Sequence, residues 1–337
     1  MTKFRTLPAI AVLALGALPA AAHHSPAMFD MTKEVVLEGV VTELSWGNPH
    51  VYLGLEVAGP DGKLRVQQVE AGPASNLVTA GMRADSVRPG DRVVLRAKPN
   101  RASTTGTVLG WLLTKADGAT IPLHVRAVAP TTPGSAVATS IAGTWVPQGT
   151  GFSSLAAAAR DWPLTAAGRA AVVATRDARV AARSACMPFG PPALMSLPST
   201  AVVEVGTTTV TFKLDTMGSV RVVHLDQTSH PAGLEPSVHG HSIGHWEDGT
   251  LVVDTVGYAA HPEGFAFDTP SSAAKHVVER FTLNADRKHL DYEAVVEDAE
   301  YLASPITQRA QWDYRPNQQP SGLPCDRAAA GRFATEQ

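Results

Sequence analysis

Along most of the chain hydrophobic and polar residues alternate with a period of two, the pattern of strands with one buried face. Val35 to Leu44 alternates around Gly39, Val51 to Val57 forms a second run, and Leu64 to Glu70 a third beyond the turn Pro60-Asp61-Gly62. Ala74 to Met82 has the composition of a short helix. Pro89-Gly90-Asp91 then turns the chain into a strand over Arg92 to Ala97, and Gly106 to Lys115 and Thr120 to Arg126 form a hairpin about Asp117-Gly118. Three strands, a short helix and further strands, with a glycine inside a long first strand that must coil strongly, predict a small OB-like β-barrel over residues 23–126.

Residues 127–140, AVAPTTPGSAVATS, interrupt the alternation and read as a linker. A second unit is predicted over 141–337. Gly143-Thr144-Trp145 opens it with the G-x-W of a lipocalin-like first strand, Trp162 to Ala182 reads as helical with a cap near Thr165, and Cys186 to Pro198 is Pro-rich and irregular. Alternation resumes over Ala201–Val205, Thr208–Leu214, Val220–Asp226, Lys275–Leu283, His289–Glu297 and Thr307–Tyr314. The strongest single signal is His239 to Tyr258. Its Asp248-Gly249 pair suits a two-residue type I′ turn, in which both central residues need positive φ. That turn sets the register: Glu247 faces Thr250, Trp246 faces Leu251, Gly244 faces Val253 and Ser242 faces Thr255. Ser242, Gly244, Trp246, Leu251, Val253 and Thr255 then share the core face, while His239, His241, Ile243, His245, Val252, Asp254, Val256 and Tyr258 share the other. Seven or eight antiparallel strands predict a lipocalin-like barrel, so the fold class is mainly β, two barrels with a short helical segment.

Lys3 and Arg5 precede an apolar run from Leu7 to Leu18, and small residues follow to Ala22. This is the grammar of a secretory signal over residues 1–22, so a periplasmic or secreted protein is expected. The apolar run is too short to span a bilayer and no later segment approaches about 18 consecutive apolar residues, so no membrane insertion is expected after signal removal. The formal charge of −3 becomes more negative once Lys3 and Arg5 leave, and no basic cluster exists, which argues against nucleic acid as a partner. The two cysteines, Cys186 and Cys325, are expected to form a disulfide in an oxidising compartment. No C-x-x-C, G-x-S-x-G, Walker loop, H-E-x-x-H or dinucleotide fingerprint is present.

Three groups of residues could carry chemistry. If the signal is cut after Ala22, the α-amine and imidazole of His23 can chelate one copper ion, with His24 or His50 as a third nitrogen ligand and Glu70 behind them; the alternative is a frayed terminus. On the hairpin, residues two apart lie about 6.6 Å from each other and can share a ligand, whereas residues four apart lie about 13 Å away and cannot. His239 and His241 could therefore act together, Asp254 could orient His241 or His245, and His230 or His276 could complete the group if the barrel brings them inside; the alternative is a solvated outer face. Glu279, between Val277 and Phe281, points into the barrel and needs a partner, Arg221 or a group near His276. It reads either as an acid/base group, with His276 as the other catalytic candidate, or as a buried structural ion pair.

The segment HHSPAMFD, with Glu38-Gly39-Val40-Val41, Trp46, Asn48-Pro49-His50, Glu70 and Pro89-Gly90-Asp91, resembles a family of uncharacterised exported bacterial proteins. The second half, through His230-Pro231, GHSIGHW over 240–246, TLVVDT over 250–255 and HVVERF over 276–281, resembles an uncharacterised lipocalin-like exported family. These resemblances imply compartment and fold and carry no activity. The reading that follows is a periplasmic binding protein, with copper at the mature N-terminal histidine and a small apolar or aromatic ligand in the second barrel. One alternative is an enzyme using the inward carboxylate and a histidine for acid/base chemistry; the other is a non-catalytic scaffold.

Overall fold

A computed structural model describes residues 28–101, 106–124, 127, 135–148, 155 and 158–330. In the first barrel, β1 (Val35–Ser45) pairs along one half with β2 (Tyr52–Ala58) and along the other with β4 (Arg92–Lys98). One strand can serve both neighbours only by coiling, and Gly39 lies where the two pairings meet. A Cβ there would stand 2.3 Å from the Glu56 carbonyl oxygen. β3 (Leu64–Glu70) extends the sheet from β2, β5 (Val108–Lys115) extends it from β4, β6 (Thr120–Pro122) pairs with β5 at the edge, and a parallel β3–β5 pairing closes the ring. The helix Ala74–Thr79 lies between β3 and β4 in sequence, which completes the OB arrangement. Val41, Leu53, Leu55, Val69, Leu77, Leu95, Leu113 and Leu123 fill the interior.

Among the described residues the second barrel has nine strands. In order around the ring they are β7 (Gly143–Pro147), β8 (Ala201–Val205), β9 (Thr209–Leu214), β10 (Ser219–His224), β11 (His241–Glu247), β12 (Thr250–Val256), β15 (Lys275–Leu283), β16 (His289–Asp298) and β17 (Ile306–Tyr314). The hairpin register is the one expected from the Asp248-Gly249 turn, residue for residue. Two features differ from the expected antiparallel barrel. The β10–β11 joint is parallel and short, with only Val223–Ser242 and His224–Ile243 in register, because a crossover rather than a tight turn connects these strands. A separate hairpin, β13 (His261–Ala266) with β14 (Thr269–Ser271), lies outside the ring. Thr165 caps the helix Ala166–Ala174 by accepting from the Gly168 amide at 3.0 Å, and a second helix, Arg176–Ser184, follows.

Large side chains fill this barrel. Trp145, Trp312, Phe212, Phe281 and Tyr292 are fully or almost fully buried, with Phe212 and Phe281 ring centres 4.8 Å apart. Trp246, expected in the core, is 43% exposed. It stands on the inward-facing register of β11, but β10 leaves β11 after Ile243, so the turn end of the strand has no neighbour on that side. Ala138, at the end of the expected linker, is buried in the second core and donates its amide to the Arg287 carbonyl at 2.8 Å.

After β17 the chain returns to the first barrel. Asp215 accepts from the Ser321 amide and hydroxyl at 2.7 and 2.8 Å. Two residues later Asn48 takes over, donating its side-chain amide to the Leu323 carbonyl at 3.3 Å and accepting the Asp326 amide on its carbonyl at 2.7 Å. The Cys186–Cys325 disulfide therefore joins the end of the helix Arg176–Ser184 to a tail seated on the first barrel, a staple between the two units.

Two stability predictions follow from these positions. Trp312→Ala should cost about 3–5 kcal/mol by opening a cavity, whereas Trp246→Ala should cost less than about 1 kcal/mol; urea unfolding of both variants measures the difference. Replacing both cysteines by serine should lower stability by about 4–5 kcal/mol, because a loop of this length is no longer closed in the unfolded chain, and should expose residues after Ser321 to limited proteolysis.

Candidate functional site

The outer face of β11, β12, β15 and β16 carries a continuous chain of hydrogen-bonded histidines and carboxylates. Asp254 on β12 lies opposite Ile243 and Val278, so His241 and His276, each two residues from those partners, are its diagonal neighbours. His276 bonds Asp254 through Nε2 at 3.1 Å and Glu297, its direct cross-strand partner, through Nδ1 at 3.3 Å. His241 does not reach Asp254. His230, from the β10–β11 crossover, lies between them, with Nε2 2.9 Å from Asp254 and Nδ1 2.9 Å from His241 Nδ1. His224 stacks on His241 with ring centres 5.1 Å apart.

Counting donors sets the tautomers. Carboxylate oxygens accept only, so His230 donates from Nε2, and the two bonds of His276 are made together only by a doubly protonated ring. Burial raises the Asp254 carboxyl, but the hydrogen bonds and charges of His230 and His276 outweigh it and hold the group below the usual carboxylate range. Burial, and then the charges of His230 and His224, pull the His241 imidazole down.

Several sequence expectations are corrected here. His230 and His276 complete the group, but on the outer surface rather than inside the barrel. His239 does not join it: Gly240, at φ +67°, ends the alternation, and β11 begins only at His241. The His239 imidazole is instead pulled down by burial and then by the charge of Arg221. His245 is exposed and bonds Glu247 at 2.8 Å, so Asp254 orients neither His245 nor, directly, His241.

Inside the barrel Glu279 meets Arg221, one of the two partners the alternation suggested. The guanidinium grips both carboxylate oxygens, one at 3.0 Å, and also donates to Ser242 at 3.1 Å and Thr255 at 2.9 Å. Tyr292 donates its hydroxyl to the same carboxylate at 3.0 Å. Both charged residues are almost fully buried. Burial works against the Arg221 charge, yet Glu279 raises its pKa overall. Glu279 thus has the environment of a structural ion pair. It cannot act with His276, which lies on the opposite face of β15.

Lys275 has no motif that marks it as a site residue, and its one sequence signal is its place on the inward register Lys275, Val277, Glu279, Phe281. It is 2% exposed and donates to the Pro191 carbonyl at 3.0 Å and the Gly264 carbonyl at 2.9 Å, with its ammonium 3.9 Å from the centre of the Tyr258 ring. It pins the Pro-rich segment and β13 onto the barrel end. Burial pulls its pKa down to about 7 against partial support from Asp298 and Glu279. The nearby His261 is pulled down to about 4, by burial and then by the Lys275 charge.

In the first barrel His50 follows the Asn48-Pro49 turn and lies beside Glu70. Its Nδ1 is 3.0 Å from the Ala71 carbonyl and 3.0 Å from Glu70 Oε1. Both partners only accept, so Nδ1 carries a hydrogen. Glu70 is 4% exposed, and its Oε1, near the ring but not aligned with the N–H, has no hydrogen-bond donor among the described residues. The Met28–Asp30 segment is fixed on the barrel by Arg101 and Pro99, through the Arg101 amide to the Met28 carbonyl and the Asp30 amide to the Pro99 carbonyl, both 2.8 Å. His23 and His24, the other copper candidates, lie outside the described residues. Among the described residues no set of three or more His, Cys, Asp or Glu side chains is arranged to hold a metal ion, and no helix is long and apolar enough to cross a membrane.

The model of a family of unknown function (DUF6152) matches residues 11–108, a stretch that ends at the first residue of β5. No curated protein matches the chain. The family match agrees with the resemblance of the N-terminal half to an uncharacterised family and assigns no activity.

The Lys275 geometry predicts a specific pH dependence. Its folded pKa of about 7 lies below the unfolded value of about 10.4, so between these limits the unfolded chain binds a proton that the folded chain does not. Stability should therefore rise with pH across this window, at a limiting slope of about 1.4 kcal/mol per unit, with the full burial cost present below pH about 7. In Lys275→Met this contribution should vanish; urea unfolding of both proteins from about pH 7 to 9.5 measures it.

Proposed function

We propose that the protein is an exported, non-catalytic binding protein that takes up a copper ion between its mature N-terminal histidines and His50. The observation that carries this reading is the His50–Glu70 pair. A ligating histidine usually donates its remote ring N–H to a carbonyl or carboxylate, which fixes the tautomer and raises ligand basicity, and His50 does this with Ala71 while Glu70 adds a buried negative charge. A buried carboxylate oxygen that has no donor among the described residues favours a cation beside it. The α-amine and imidazole of His23, with His24 next to them, would supply the remaining nitrogen ligands of a tetragonal Cu(II) site. The leader-like residues 1–22 support export, and an oxidising compartment suits the Cys186–Cys325 bond. The acid/base alternative has less support, because Glu279 is held by Arg221 and Tyr292 and lies on the other face of β15 from His276.

Titration of the mature protein with Cu(II) should show a site that loses about tenfold or more in affinity in the double variant His23→Ser, His24→Ser, and about 10–100-fold in Glu70→Gln. Unchanged affinity in both variants would remove the basis for a site at this end of the molecule.

A further inference from the structure

The outer histidine chain contains a contact that the N-terminal reading does not use. His230 and His241 bring their Nδ1 atoms to 2.9 Å, with the rings at 77° and their centres 5.2 Å apart. Because Asp254 takes the Nε2–H of His230, a neutral His230 ring turns its Nδ1 lone pair toward His241. Two lone pairs do not face each other at this distance unless a cation lies between them. In the ion-free protein that cation is the Nδ1 proton of His241. Moved through solvent to Nε2 of the same ring, it leaves a lone pair on each of the two neighbouring Nδ1 atoms, with no net gain or loss of protons.

Two imidazole nitrogens bound at about 2.0 Å and at a right angle on one ion are about 2.8 Å apart, close to the separation seen here. The surroundings fit the same purpose. Asp254 stands behind His230 as the carboxylate that fixes a ligand's tautomer, His276 holds Asp254 at 3.1 Å, and Glu297 holds His276 at 3.3 Å. His224 stacks on the His241 ring and fixes its plane. His230 and His241 are half-buried, so an ion and its water ligands can reach the pair from the outer surface. We infer that His230 and His241 form a site for a divalent ion of tetragonal preference, Cu(II) or Ni(II), with two imidazoles in cis and water in the remaining positions. This site is independent of the one proposed at the N-terminus.

The test uses the full mature chain carrying His23→Ser and His24→Ser, titrated calorimetrically with NiCl2 and with CuCl2. One equivalent should bind, and His230→Ala or His241→Ala added to this background should each weaken it by about tenfold or more. Asp254→Asn should weaken it about 10–100-fold with an unchanged far-UV spectrum, since the carboxylate orients the ligand rather than supplying it. His245→Ala, a neighbouring exposed histidine on the same strand, should leave it unchanged. Absence of binding in the double-serine background, or equal binding in both the His230 and His241 variants, would overturn the inference. The N-terminal reading is judged separately, by whether His230→Ala in the otherwise unaltered mature chain retains the equivalent that depends on His23 and His24.

Discussion

The ion pair between Arg221 and Glu279 is the interaction on which the second barrel depends. Arg221 stands on β10, whose joint with β11 has only two residue pairs in register and is the weakest seam of the ring. From there its guanidinium reaches Ser242 on β11, Thr255 on β12 and Glu279 on β15, while Tyr292 on β16 closes on the same carboxylate. Five consecutive strands around the ring therefore meet at one buried charge pair. Such a pair adds little net stability over an apolar core, because desolvation consumes most of the attraction. Losing one partner is a different matter: it leaves an unpaired charge buried inside the barrel. The pair favours this strand arrangement over alternatives, above all over a seam that slips or opens between β10 and β11.

The same network positions the outer histidines. Successive residues on a strand face opposite sides, so Ser242 inside places His241 outside, and Thr255 inside places Asp254 outside. Glu279 and Val277 inside likewise place His276 outside. A one-residue slip of any of these strands would exchange the faces, burying the histidines and exposing the polar anchors of Arg221. The inner ion pair thus sets the register in which His241, Asp254, His276 and Glu297 form one chain. His230 completes it from the crossover that the parallel joint requires, so the weakest seam and the outer site have a common origin in the topology.

The two barrels are joined by a physically distinct device. Asn48 accepts the Ser75 amide on its side-chain oxygen at 3.1 Å, donates its side-chain nitrogen to the returning tail, and stands two residues before His50. Asp215 and the disulfide hold the same tail to the second barrel. The tail therefore connects the first barrel's histidine loop to the second unit through side chains at both ends.

Much of the architecture was legible in the sequence, because period-two alternation and turn residues act over a few residues. Asp248-Gly249 alone determined the register of β11 against β12, Gly39 marked the strand that coils, Thr165 marked a helix start, and the inward position of Glu279 demanded a cation that proved to be Arg221. Local patterns do not say which strand stands beside which. That is why Trp246, correctly placed on the inward register, is nonetheless exposed where β10 leaves β11, and why His239, in phase with His241 on paper, leaves its face at Gly240. It is also why His230, on a stretch with no periodicity, could not be placed between His241 and Asp254. Only the closed ring decided these points, since the partners of a side chain at a strand end or in a crossover come from segments distant in sequence, brought together when the barrel shuts.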